Sequence, residues 1–313
     1  MNRRMLIAAD GRAESLAALR VARALSETRG MEGEVLTVLQ PVTPWMYDPM
    51  TGAAAVYWDA LDVQKDAQRE AVRAQLAAVG GAAAGWPLEA VVGPCALTIA
   101  RGAAERGAGL IVMGSGRHGW SDRLLGRETV LDVLRVAHHP VLAVPADHGE
   151  LPRKALVATD FSEQSLDAAR AAVALLPPGA EVHVVNVSWT PAVEVAWAAV
   201  DSWTGTYEAG ARTRLEEIAR ELAGPGRVVH THLLKGDLAD ELLAFAERER
   251  VDLVATGSHG YGLISRAILG SLSTRLVRGA HCAVLVAPPR TPSAALHGEA
   301  TGAEHPLAAG AAG

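Results

Sequence analysis

Short apolar runs of strand length alternate along almost the whole chain with longer segments whose apolar residues recur at helical spacing. In the C-terminal half the strand-like runs fall at 155–159, 182–187, 228–234, 252–256 and 283–287, and helical patterns at about 163–176, 207–223, 238–250 and 271–280. The N-terminal half predicts strands near 5–9, 34–39, 88–92, 109–113 and 141–144. Strands that alternate with helices build βαβ units, and parallel strands joined by right-handed crossovers give a doubly wound sheet. The expected fold class is α/β, as two tandem doubly wound five-stranded parallel-sheet domains. Their ligands belong beyond the carboxyl ends of the strands.

The halves are copies of one unit. Residues 93–145 and 236–288 align without a gap, with 14 of 53 positions identical, including Gly114 with Gly257 and Ala137-His138 with Ala280-His281. Upstream, Met5-Leu6-Ile7-Ala8-Ala9-Asp10 is answered by Ala155-Leu156-Val157-Ala158-Thr159-Asp160, each Asp preceding a turn and a helical pattern. The expected domains are 1–146 and 153–288, joined by a polar linker marked by Pro145 and Pro152. The tail, 289–313, is rich in Ala, Gly, Pro and Thr with no apolar period, which predicts disorder.

Composition narrows the functions. A net charge of −6 offers no electrostatic footprint for nucleic acid or an anionic membrane. No run approaches the roughly 18 apolar residues of a membrane span, and Asp10, Arg12 and Glu14 interrupt any signal peptide. Cys95 and Cys282 lie far apart in apolar contexts, so neither a CxxC site nor a disulfide framework is expected, and a cytoplasmic location is.

The chemistry concentrates in one loop of the second copy. Gly257-Ser258-His259-Gly260, nine residues, and then Gly270-Ser271 lie between a strand and a helix. Glycines there let backbone N–H groups approach an anion, and a helix start adds unpaired donors, so a phosphate chain fits. Ser271 and Ser273 offer hydroxyls to a phosphate or its Mg²⁺, or Ser271 simply caps the helix. Asp160 accepts from a ribose hydroxyl or an adenine amino group, or else is a turn-forming Asp that bonds its own backbone. His259 touches phosphate or orients the turn.

Several other patterns carry less. Gly114-x-Gly116-x-x-Gly119 spells a dinucleotide fingerprint but follows the fourth strand of its unit instead of the first. No GxxxxGK[ST] segment exists, so no Walker-type loop is expected. His138, His139 and His281 lack metal-site spacing; His230 and His232 share one strand face without an evident third ligand, so no metal site is expected. Trp45, Trp58, Trp189, Trp197 and Trp203 fall in two long segments, about 41–62 and 188–207, which serve as lids or binding surfaces or pack between the copies.

The run Asp252-Leu253-Val254-Ala255-Thr256-Gly257-Ser258-His259-Gly260, the G-x2-G-x9-G-S spacing, the closing Ala280-His281-Cys282-Ala283-Val284-Leu285-Val286 and the strand-turn Ala158-Thr159-Asp160-Phe161-Ser162 resemble the universal stress protein family. The resemblance covers both copies. It implies a Rossmann-like, adenine nucleotide alpha hydrolase-like fold that holds ATP, with or without Mg²⁺. Asp160 and the backbone near Val187 would meet the base and ribose; Gly257, Ser258, His259, Gly260, Gly270, Ser271 and Ser273 would meet the ribose and phosphates. It also implies pairing through the last strands, as an intrachain pseudo-dimer or a homodimer. The function implied is a nucleotide-dependent switch or scaffold of the stress response, with at most slow ATP hydrolysis. The alternative is a non-nucleotide scaffold that binds a protein or lipophilic partner through the Trp-bearing segments.

The first copy departs from the motif. In the ungapped alignment the second glycine position holds Arg117, the third Arg127, and the serine position Glu128. A carboxylate repels phosphates and β-carbons block close backbone approach, so one competent site, in the second copy, is expected.

Overall fold

A computed structural model describes residues 2–41, 53–116, 126–188, 197–258 and 270–289, the segments 53–58, 126–128 and 197–207 by backbone alone. The first half runs β1 (Arg4–Ala8), α1 (Ala13–Arg29), β2 (Glu32–Leu39), α2 (Ala53–Val79), β3 (Leu88–Val92), α3 (Cys95–Glu105), β4 (Leu110–Ser115), α4 (Gly126–Val136) and β5 (Val141–Pro145). The second half repeats it: β6 (Lys154–Ala158), α5 (Glu163–Leu175), β7 (Glu181–Ser188), α6 (Trp197–Leu222), β8 (Val228–Lys235), α7 (Leu238–Glu249), β9 (Leu253–Gly257), α8 (Ser271–Gly279) and β10 (Ala283–Ala287).

The five parallel strands of each half do not form separate sheets. They join in one ten-stranded sheet of order β3-β2-β1-β4-β5-β10-β9-β6-β7-β8. All neighbours are parallel except β5 and β10, which pair antiparallel with Leu285 opposite Leu142. Within each half the chain winds outward from the first strand and then reverses, so the switch points lie between β1 and β4 and between β6 and β9. Each first strand is buried on both faces: Met5 and Ile7 reach a core under α1 and α2, while Leu6 reaches one under α3 and α4. That is why these strands read as unbroken apolar runs.

The predicted strands match the observed ones to within about a residue at most ends. The helices after the second strands differ. α6 begins at Trp197, ten residues before the pattern predicted from 207, and α2 begins at Ala53, inside the segment read as a long connection. The two long connections are therefore partly helical. Trp45 and Trp189, the tail from 290, and the side chains of Trp58, Trp197 and Trp203 lie outside the described residues.

Candidate functional site

In the second half the switch point falls between neighbouring strands β6 and β9. β6 is followed by Thr159 and Asp160. Asp160 Oδ1 accepts from the Ser162 backbone N–H at 3.1 Å and from the Ser162 hydroxyl, so the predicted turn-forming role is present. Ser162 in turn caps α5, its oxygen accepting from Ser165 N–H at 3.2 Å. Phe161 between them takes φ +67°, a left-handed conformation rare for a side chain of this size. The turn is held from behind. Asn186 Nδ2 donates to the Thr159 carbonyl at 2.8 Å, and Thr159 Oγ1 accepts from Phe161 N–H at 3.0 Å. Val187, one residue on, is half-buried near the end of β7 and packs against the core under α7 and α8.

The motif strand and helix are pinned to one another. Ser258 N–H donates to the Ala287 carbonyl at 2.8 Å, and Gly270 N–H donates back to the Ser258 carbonyl at 3.0 Å. The loop that holds His259 and Gly260 thus leaves and returns at one point, though those two residues lie outside the described set. Ser273, 1% exposed, donates its hydroxyl to the Gly257 carbonyl at 3.0 Å and fastens α8 to β9. Its role in the structure is internal. Ser271 is exposed at the first position of α8, behind an N-cap glycine whose lack of a side chain leaves the first-turn N–H groups to other acceptors. Asp160, Gly257, Ser258, Gly270 and Ser271 therefore gather at the carboxyl ends of two adjacent strands at the switch point.

The first half has its own switch point between β1 and β4. A cavity of about 1130 Å³ opens at the carboxyl ends of β1, β2 and β4, floored by Leu36, Val38, Ile99 and Met113. Asp10 stands at its rim, bonded to Arg12 N–H at 3.0 Å and to the Ser15 hydroxyl at 2.5 Å, with Arg12 Nε 3.6 Å from its other oxygen. Cys95 also lines it; burial, then Asp10 and Asp132, push its thiol up to about 11, so it stays protonated and unreactive. The expected plugging residues Arg117, Arg127 and Glu128 have no described side chains. What the cavity does show is Glu14 on its lining, a residue of α1 that the motif reading passed over. Gly114 packs so closely on it that a β-carbon there would lie 2.5 Å from the Glu14 backbone. The first motif glycine is thus required by helix–strand contact, whatever the ligand.

Among the described residues no group of three or more His, Cys, Asp or Glu is arranged to hold a metal ion, and no helix is long and apolar enough to cross a membrane.

A doubled, doubly wound parallel sheet with a switch point in each half defines a tandem Rossmann-like α/β protein. The universal stress protein family model matches residues 1–145 and again 152–288, and the chain belongs to that family. Among curated relatives, the universal stress protein MJ0531 of Methanocaldococcus jannaschii is 31% identical over 164 residues, which is 50% of this chain and 94% of that protein. The universal stress protein YxiE of Bacillus subtilis is 28% identical over 139 residues, 42% of this chain and 94% of its own. Among solved structures, a universal stress protein from Archaeoglobus fulgidus covers 91% of this chain and 98% of its own at a TM-score of 0.65, with 23% identity. Relatives of single-unit length thus match about half of this chain, and a double-length structure matches nearly all of it.

Proposed function

We propose that the second half binds ATP and that the bound nucleotide acts as a switch on the assembly or partner binding of a cytoplasmic stress-response protein. One observation carries the reading: Asp160, Gly257-Ser258 and Gly270-Ser271 converge on adjacent strand ends at the switch point, with an uncapped helix start beside them. Asp160 suits a sugar or base edge, since a carboxylate only accepts hydrogen bonds. Gly270 and the start of α8 suit the phosphates, where N–H donors and the positive helix end favour negative charge. Ser273 acts from within, by holding α8 in place. Mg²⁺, where present, would ride on the phosphates, because Asp160 is already engaged by Ser162.

A ligand bound only to the folded state stabilises it by about 2.7 kcal/mol at a hundredfold excess over Kd, which is the signal such a switch supplies. The test is nucleotide retention in native mass spectrometry of the purified chain. Wild type is expected to carry or take up ATP, Gly270→Val to lose it with circular dichroism unchanged, and Arg127→Val to keep it. A wild-type chain that takes up no ATP, or a Gly270→Val chain that retains it, overturns the reading.

A further inference from the structure

We propose that the first half supplies a residue to the nucleotide site of the second: His139, at the entrance to β5, reaches across the β5–β10 seam to the terminal phosphates held at the start of α8. The proposal rests on the ATP reading of the second half, and it makes that site a property of the joined sheet.

Topology brings the two together. β5 and β10 run antiparallel, with Val141 opposite Val286 and Leu142 opposite Leu285. The next step along puts Pro140 opposite Ala287, with His139 just beyond it. On the other side of β10, Ala287 is paired with Gly257, and its carbonyl accepts from Ser258 N–H at 2.8 Å. Pro140 and the motif residues Gly257-Ser258 thus flank one residue of β10, two strand spacings or roughly 10 Å apart. The helices follow the strands. α4, which ends at Val136 shortly before His139, packs on α8, and the reversed strand direction sets its end at the same end of the sheet as the start of α8. Gly270 N–H, bonded to the Ser258 carbonyl at 3.0 Å, fixes that start over the same strand end. A polyphosphate seated on Gly270-Ser271 therefore extends toward the residue that opens β5.

Chemistry singles out His139 there. Its ring is half-buried, with Nδ1 shielded from solvent and without a hydrogen-bond partner among the described residues. A buried polar nitrogen of this kind calls for a partner such as a bound ion. Burial, then His138, lowers the pKa of His139, so the ring favours its neutral form in the free protein. A polyphosphate supplies the acceptor and the negative charge that favour the protonated ring. The other end of the seam lacks such a group. Position 139 aligns with Cys282, which is 1% exposed and brings no cation. The half whose loop keeps its glycines thus faces a histidine across the seam, and the half whose loop has lost them faces a buried thiol.

The test uses ligands that differ in phosphate number, titrated calorimetrically into the full chain. His139→Ala is expected to weaken ATP binding about ten- to hundredfold, the value of a hydrogen bond to a charged group, and to change AMP binding by less than about twofold. His139→Lys, which restores a cation, is expected to recover most of the loss. In wild type the His139 ring resonance, assigned by its absence in His139→Gln, is expected to shift saturably with ATP and with inorganic tripolyphosphate, and not with AMP. That readout needs no destabilised variant to be titrated. Unchanged ATP affinity in His139→Ala, an equal loss for AMP, or a ring unmoved by ATP overturns the contact across the seam and leaves the ATP reading standing. A wild type that takes up no ATP removes that reading instead. Tripolyphosphate then decides the contact alone: a saturable shift of the His139 ring upholds it, and no shift overturns it.

Discussion

At the scale of single residues, the turn after each first strand shows how far chemistry can be read from letters. Asp10 and Asp160 were legible because an acid closing a β run before a helical pattern is both a turn former and a ligand acceptor. The residue after each must be left-handed: Gly11 has φ +84° and Phe161 φ +67°. Gly11 is the stricter case, since a β-carbon there would lie 2.8 Å from Ala71 Cβ. Gly11→Ala is expected to destabilise the chain by about 1–3 kcal/mol, combining left-handed strain with overpacking. A urea midpoint unchanged within error would show that α2 yields at no cost. Asn186 and Glu14 were not legible. Asn186 is 4% exposed within a strand that reads as core, and its value lies in reaching back to the Thr159 carbonyl. Asn186→Ala should cost about 1–3 kcal/mol, the usual penalty for a buried carbonyl that loses its donor, and should weaken ATP retention because the Asp160 turn loosens. Glu14 sits a hundred positions before the loop it faces, a proximity that only the β1–β4 pairing creates.

At the scale of elements, corresponding corners of the two halves are built from different chemistry. Where β2, β3 and α3 meet, Arg106 pairs with Glu34 and Glu89. At the matching corner of β7, β8 and α7, His183 Nδ1 lies 2.9 Å from His232 Nε2, and Phe245 meets both rings edge-on. Glu181 Oε1 is 3.1 Å from His183 Nε2 and 3.3 Å from His230 Nε2, and its other oxygen is 3.2 Å from Lys154 Nζ. Sequence patterning found His230 and His232 on one face but not their partner on the next strand, because register between strands is not written in either one. Burial lowers the pKa of His183 against the pull of Glu181, and burial and then His230 lower that of His232. Both imidazoles thus favour the neutral form more when folded than in the unfolded chain, which takes up protons near the ordinary value of 6.5. The unfolded state then binds more protons, so stability is full above that pH and is lost as pH falls below it, by up to about 1.4 kcal/mol per unit for each group. The urea midpoint should therefore drop between about pH 6.5 and 5, and His183→Gln should flatten that slope. Glu181, whose burial is outweighed by Lys154, has its pKa lowered from 4.5, so its own contribution is lost only in more acid solution. An equal slope in His183→Gln would exclude the pair as its source.

At the scale of the whole molecule, the seam decides whether a nucleotide held in one half is felt in the other. The repeat made two domains legible, and the last-strand resemblance made their pairing an expectation, yet the consequence is a property of neither half. β5 and β10 complete one sheet, and both faces of the seam are buried: Leu142 and Leu285 are at most 1% exposed, α1 packs on β5, α5 on β10, and α4 on α8. The two cores each run through both halves without a break. Large interior contact of this kind couples the unfolding of its parts, because either half released alone would expose its edge strand and the apolar faces over it. Calorimetry of the full chain should therefore show one endotherm. ATP at a hundredfold excess over Kd should raise all of it by about 3–5 °C, the shift that roughly 2.7 kcal/mol gives a chain of this length. Leu285→Asp, which places an unpaired carboxylate in the middle of the seam, should split the transition and confine the ATP shift to one component. Two endotherms in wild type, with only one responding to ATP, would mean that the halves report separately and that the continuous sheet carries no signal between them.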